Sequence, residues 1–387
     1  MGLVAFTILF GYEIARSPIE SLFLKAYTSA GLPQVWIAVA LAAVVVTTIY
    51  SRLAGRRSLP WLFAASSLTS AVLFGIIAGW HAAGLPHAEF ALYVWKDVYV
   101  VVLIEIFWSG ANTAFRESGA RWLYGLFCIL GSAGSFCGGM LVAAVAQDLG
   151  TLGTVGLVLP TLLLSAAQYR LMLGQRVEKM PPAGGLLAGW SVLRDSRYLW
   201  LMLGLIALVQ IVVTLVDYQY NTLLEASYPD MDTRTAIGGQ VYAAISLGSM
   251  SLQVLTGPIL TLMGVRLTLL AIPMIIGGTV AAFALSPQFV TMAIAKVAGK
   301  CFDYSLFRAG KEILYIPLSY AEKTQGKAFV DVMTYRVAKG GVSVLLLTLP
   351  AALVGAGVLS VVTLAAVGGW GLVTLGVTRL WRQRSEG

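Results

Sequence analysis

The stretch LGQRVEKMPPAGGLLAGWSVLRDSR, Leu173 to Arg197, carries a Pro-Pro step, a Gly-Gly step and charges of both signs. It is the one substantial interruption in a chain of 387 residues that is 58% hydrophobic and 11% charged, with a mean hydropathy of +0.82. That composition exceeds what a soluble core requires and places the chain among integral membrane proteins. A helical span takes about 20 mainly apolar residues. Punctuated by Gly, Pro and charge, the sequence predicts spans near 3–26, 33–52, 60–82, 90–115, 119–146 and 151–172 before the stretch. After it come spans near 198–225, 236–262, 266–286, 289–316, 326–350 and 356–380. The expected fold is an all-α membrane protein with 12 transmembrane helices: a six-helix bundle over 1–173, a cytoplasmic linker over 174–197 and a second six-helix bundle over 198–387.

The net charge of +8 does not call for nucleic acid, because the basic residues follow topology. Arg52, Arg56, Arg57, Arg116, Arg121, Arg170, Arg176, Lys179, Arg194, Arg197, Arg266, Lys323, Lys327, Arg379, Arg382 and Arg384 all fall on one side of the twelve-span arrangement. The opposite loops offer mainly Arg234. The positive-inside rule then makes both termini and the linker cytoplasmic. The opening MGLVAFTILFGYEIARSP reads as the first span, since Glu13 and Arg16 stand where a signal peptide would be apolar. Cys128, Cys137 and Cys301 read as small buried hydrophobes. His81 and His87 read as loop residues without a carboxylate or cysteine at ligand spacing, so neither a metal nor a cofactor is expected.

The halves resemble each other. Adding 201 to the residue number aligns ESLFLKAY (Glu20 to Tyr27) with NTLLEASY (Asn221 to Tyr228), and Ala120 and Gly125 with Ala321 and Gly326. Two parallel six-span repeats resemble the major facilitator architecture, with a substrate site near mid-membrane between the halves.

A charge at the centre of a span costs about 2.5–3.5 kcal/mol on insertion scales, so each needs a partner or a watery cavity. Glu13, Arg16 and Glu20 share one face of span 1 at three- and four-residue steps, and the repeat sets Asp217 at the position equivalent to Arg16. In span 4, Glu105, Trp108 and Asn112 recur at helical spacing, while Lys96 and Asp97 read as a solvated helix end. Span 10 carries Lys296, Lys300, Asp303, Phe307 and Lys311 on one stripe, with Arg308 and Glu312 spaced for an ion pair. Span 11 continues with Asp331, Tyr335, Arg336 and Lys339. Six cations (Lys296, Lys300, Arg308, Lys311, Arg336, Lys339) against Asp303, Glu312 and Asp331 point to an anionic ligand. No phosphate-cradling loop follows a strand, and Ser, His and Asp form no nucleophilic set, so no catalytic residue is expected.

Several segments resemble the ADP/ATP translocases of intracellular bacteria and plastids. KEILYIPLSYAEKTQGKAFVDVMTYRVAKGG (Lys311 to Gly341) is similar to that family's span 10 to 11 signature. YVWKDVYVVVLIEIFWSGAN (Tyr93 to Asn112), LVDYQYNTLLEASYPD (Leu215 to Asp230) and GYEIARSPIESLFL (Gly11 to Leu24) resemble its fourth, seventh and first spans. The resemblance implies a major-facilitator-like carrier that exchanges ATP for ADP, with Lys339 and Asp217 at family positions. It departs at three places: Ile19 stands where the family has a span 1 lysine, Asn221 where it has a span 7 lysine, and Thr113 where it has a span 4 acid.

The expected function is therefore a secondary antiporter of nucleotides or a related phosphorylated anion, working by alternating access as a monomer in the lipid bilayer. Its expected substrate-binding residues are Arg16, Glu20, Glu105, Trp108, Asn112, Asp217, Tyr220, Asn221, Lys300, Asp303, Lys311, Asp331, Tyr335, Arg336 and Lys339. Two alternatives stand beside it. One is a proton-coupled carrier of another anionic or lipid-like solute, with Asp331 or Glu105 as the coupling acid; the other is a non-transporting scaffold or sensor.

Overall fold

The computed structural model describes all residues except 55, 115, 116, 174–185, 320, 321, 323–325, 351–354 and 387. Within helices it leaves out the side chains of 113, 117–122, 173, 186–189, 328, 329, 332, 333, 335, 336, 385 and 386. No strand occurs among the described residues. The helices are α1 (Gly2–Tyr27), α2 (Leu32–Ala54), α3 (Leu59–Ala82), α4 (Ala88–Ala114), α5 (Glu117–Gly156), α6 (Val158–Leu173) and α7 (Leu186–Asp195). They continue with α8 (Arg197–Ser227), α9 (Met231–Leu285), α10 (Phe289–Phe302), α11 (Arg308–Leu314), α12 (Lys327–Thr348) and α13 (Ala356–Glu386). Six helical stretches among the described residues are long and apolar enough to cross a membrane, the chain being a multi-pass membrane protein.

Helix boundaries follow the glycine punctuation. α5 breaks at Gly150 (φ 69°, ψ 163°) and α9 at Gly264 (φ 73°, ψ 162°), conformations a Cβ would strain. Both fall where the sequence predicts a turn between spans. Inside the expected linker, LLAGWSVLRD forms the ten-residue α7, with Leu186, Leu187, Trp190 and Leu193 at helical spacing and Leu193 buried.

The chain packs as two compact units: Met1–Ala183 with Tyr228–Leu247, and Gly184–Ser227 with Gly248–Gly387. In the first unit α1 is central, packed by α5, α4 and α6; in the second α8 is central, packed by α13, α12 and α10. Small residues set the closest approach. A Cβ at Gly134 of α5 would stand 2.2 Å from the Phe6 carbonyl oxygen, and one at Gly138 2.6 Å from that of Phe10. Gly134→Val is expected to lower the melting temperature, a strain of at least about 1–3 kcal/mol, whereas Gly125→Ala, with open space around it, leaves it unchanged. Tryptophan fluorescence during heating in detergent would separate the two.

Two local expectations are corrected. Cys301 is buried and Cys128 half-buried, but Cys137 is exposed on α5, where an apolar thiol needs no partner. His81 lies in α3 rather than in a loop, and a carboxylate does reach it: Glu89 stands 2.8 Å from its Nδ1. His87 bonds Tyr27 instead. No metal-ligating cluster forms among the described residues.

Candidate functional site

Each central helix holds a buried ion cluster. In the second unit, α8 presents Asp217, Tyr220 and Asn221 within little more than one turn. α10 brings Lys296 and Lys300, four residues apart and so on one face. Lys300 Nζ stands 2.9 Å from Asp217 Oδ2 and Lys296 Nζ 3.5 Å from Oδ1, so two ammonium groups converge on one carboxylate. Lys296 is 2% exposed, and its Nζ lies 3.7 Å from the centre of the Tyr220 ring, a cation–π contact that offsets part of its lost hydration. Val212, Val213, Val216, Ile276 and Gly299 complete a narrow, apolar-walled cavity over these charges. Asn221 donates from Nδ2 to the Asp217 carbonyl at 2.7 Å, while its buried Oδ1 has no hydrogen-bond partner.

A π-turn over Asp303–Phe307 follows α10 and shifts the helical register. The predicted stripe divides there. Lys296 and Lys300 turn to α8, whereas Lys311 turns to α12 and pairs with Asp331 at 2.9 Å, where the Tyr315 hydroxyl also donates at 3.0 Å. Asp303, on the turn, lies within electrostatic reach of Lys300, Arg308 and Lys311. The expected Arg308–Glu312 pair does not form among the described residues; Glu312 takes Lys327, and Arg308 is exposed. Lys339 is half-buried on α12. The Tyr335 and Arg336 side chains lie outside the described residues, as does that of Thr113.

In the first unit, Arg16 of α1 pairs with Glu13 at 3.3 Å and Glu20 at 3.7 Å, as the spacing predicts. It also stacks 3.9 Å from the ring centre of Tyr242, whose hydroxyl bonds Glu20. Lys96 joins the cluster from α4, 2.8 Å from Asp97, 3.6 Å from Glu20 and 3.8 Å from the centre of the Tyr93 ring. At 1% exposure it is buried, so the expectation of a solvated Lys96–Asp97 end is wrong. Glu20 and Tyr93 supply the partner and the ring that make this burial tolerable. Further along α4, Glu105 is exposed. Trp108 and Asn112 meet Tyr124 of α5, by an edge contact at 5.4 Å and a 2.7 Å hydrogen bond.

The structure thus gathers Asp217, Tyr220, Asn221 and Lys300 in one cluster and Arg16 and Glu20 in another. Sequence reasoning omitted Lys96 and Lys296 from the candidate site. Their numbers differ by 200, one short of the repeat offset, and each meets an acid of its unit's central helix over a tyrosine ring. That near-match was the available signal.

Residues 280–381 match the family described as TLC ATP/ADP transporter. The chain is 24% identical to ADP,ATP carrier protein 1 of Chlamydia muridarum across 89% of its own length and 80% of that protein's. It is 23% identical to ADP,ATP carrier protein 2, chloroplastic, of Arabidopsis thaliana, over 88% of this chain and 67% of that one. In fold it is similar to a crystal structure of a variant of the nucleoside transporter NupG, with a TM-score of 0.73, 12% identity and coverage of 98% of both chains. A POT family transporter structure gives a TM-score of 0.71 at 11% identity, over 98% of this chain and 96% of the other. Helical, with no strand among its described residues, and similar in fold to these transporter structures, the chain is a transporter rather than an enzyme, and its residues 280–381 match the TLC ATP/ADP transporter family.

Proposed function

We propose that the protein is an antiporter that exchanges nucleotides, or a related phosphorylated anion, by alternating access. The observation that carries this reading is the convergence of buried Lys296 and Lys300 on Asp217 beside the Tyr220 ring. In the empty site Asp217 acts as resident counter-ion. An arriving phosphate takes over the two ammonium donors, which a dianion holds through stronger charge-assisted bonds than a single carboxylate does. On release the lysines return to Asp217, so the site never has to bury two bare cations. Tyr220 adds an aromatic face. Ile19 is fully buried in packing and Asn221 is neutral, which leaves the site fewer cations than the family resemblance implies and suits a modest number of phosphates.

On this reading the remaining candidates, from Lys311, Asp331, Tyr335, Arg336 and Lys339 to Arg16, Glu20, Glu105, Trp108 and Asn112, guide the solute or stabilise the states it passes through. We read the fold as twelve spans. The break at Gly264 divides α9 into two spans, the break at Gly150 ends the fifth span and leaves the short remainder of α5 to run with α6 as the sixth, and α1, α4, α10 with α11, and α12 cross the membrane with their charges turned toward protein. The bundles over 1–173 and 198–387, a bacterial inner membrane, cytoplasmic termini and a monomeric state belong to the same proposal.

The test is uptake of labelled ATP into proteoliposomes with and without internal ADP. Saturable uptake accelerated by the internal nucleotide is expected, and the absence of that acceleration across nucleotides overturns the reading. Lys300→Met removes one charge-assisted bond and should weaken half-saturation by about tenfold to a hundredfold.

A further inference from the structure

Glu13 is 5% exposed, and only one of its oxygens is engaged: Oε1 takes Arg16, while buried Oε2 has no hydrogen-bond partner. The groups around it are few. α1 supplies Arg16 and Glu20, and Tyr12, whose hydroxyl donates to Asp97. α4 supplies Lys96, Asp97 and Tyr99, the last with a buried hydroxyl that also lacks a hydrogen-bond partner. The first turns of α9 bring Tyr242 to Arg16 and Glu20, and Arg234, which donates to the Ser21 carbonyl. α5 presents Gly138, where a Cβ would stand 3.1 Å from that of Glu13, and α6 presents Thr161 to Gly11.

In the ion-paired set, three carboxylates (Glu13, Glu20 and Asp97) meet two cations, Arg16 and Lys96. Within this set Glu13 is the carboxylate with a buried oxygen that lacks a hydrogen-bond partner, and a carboxylate oxygen at this depth is neutralised most cheaply by a proton. We propose that Glu13 Oε2 is a proton-binding site and that its proton is a co-substrate of transport.

The step is a simple association: an O–H bond forms on Oε2, no electron moves, and the cluster rises by one unit of charge. Arg16 then keeps Glu20 as its ionised partner, and Glu20 is shared with Lys96 and Tyr242. The more positive cluster favours an anion, and by reciprocity a bound anion favours the proton. Asp331 and Glu105 are poorer coupling acids, the first tied to Lys311 and Tyr315 and the second exposed on α4. The proposal rests on the transport reading but not on which anion is carried.

The test uses the purified full chain and Glu13→Gln in two ways. Infrared difference spectra across a pH titration should show the carbonyl stretch of a buried protonated carboxyl in the parent and not in E13Q; the same band in both overturns the proposal. In proteoliposomes without internal nucleotide, one pH unit of inward-directed proton gradient should raise steady-state ATP accumulation about tenfold, an effect removed by a protonophore. E13Q should retain ATP/ADP exchange and lose this response. Robust exchange in the parent with no response to the gradient overturns the coupling and leaves the exchange reading standing. If no nucleotide crosses at all, exchange falls, and the infrared band still decides Glu13. Should E13Q fail to fold, Glu13→Asp is used instead: a shifted band supports the site, and an unshifted one overturns it.

Discussion

Replacing Asp217 by Asn should sharply lower the melting temperature of the protein, and added phosphate or nucleotide should restore it. The carboxylate is where Lys296 and Lys300 converge, and both lysines are buried in a cavity walled by valine and isoleucine. Removing one partner from a buried ion set leaves charge in a medium that solvates it poorly, which costs about 3–5 kcal/mol. Asn retains the shape and one acceptor oxygen but none of the compensating charge. An anion that enters the cavity replaces what was lost, so the variant should gain more stability from a given phosphate concentration than the parent does. Heating in detergent over a phosphate and ATP series measures this directly. A drop of the same size at every anion concentration would mean that Asp217 is a packing residue and that the cavity holds no anion. The double variant Asp217→Asn with Lys296→Met should recover part of the loss, because one of the two cations is gone. Transport by Asp217→Asn should be slow even where binding is tight, since the lysines have no carboxylate to return to when the anion leaves.

The difference between what was legible in the sequence and what was not follows the range of the interaction. Helix positions were legible because apolar runs and glycine breaks are local, and Gly150 and Gly264 lie where the turns were expected. The Glu13–Arg16–Glu20 face was legible for the same reason, its spacing being a property of one helix. Lys96 was misread because closeness to a helix end says nothing about depth; its burial depends on Glu20, on another helix. The stripe from Lys296 to Lys311 was read as one face. It is two, because the π-turn at Asp303–Phe307 adds a residue to the turn and sends Lys311 toward Asp331. Glu312 went to Lys327 rather than to Arg308 because the start of α12 lies against α11, a tertiary fact absent from helical spacing.

Lys96→Met is expected to produce the opposite signature to Asp217→Asn: a large loss of stability near neutral pH that acid, rather than an anion, repairs. Lys96 stands within ion-pair distance of both the Asp97 and the Glu20 carboxylates, and Glu20 also pairs with Arg16. Met fills the volume beside Tyr93 and removes the charge. Glu13, Glu20 and Asp97 are then left with Arg16, and the penalty for breaking a buried pair, about 3–5 kcal/mol, applies again. Here the surplus charge is negative, so a proton can take the place of the lost ammonium. The sign follows from linkage: the folded variant, holding carboxylates close together out of water, binds more protons than its unfolded chain. Its stability therefore rises as pH falls and declines as pH rises. Melting curves in detergent between about pH 8 and about pH 5 should bring the variant toward the parent at the acid end, and phosphate should have little effect. A deficit that stays constant across this range would show that Lys96 contributes packing alone. Glu20→Gln in the Lys96→Met background gives the complementary measurement: with one carboxylate neutralised by substitution, part of the stability should return at neutral pH and the pH dependence should flatten.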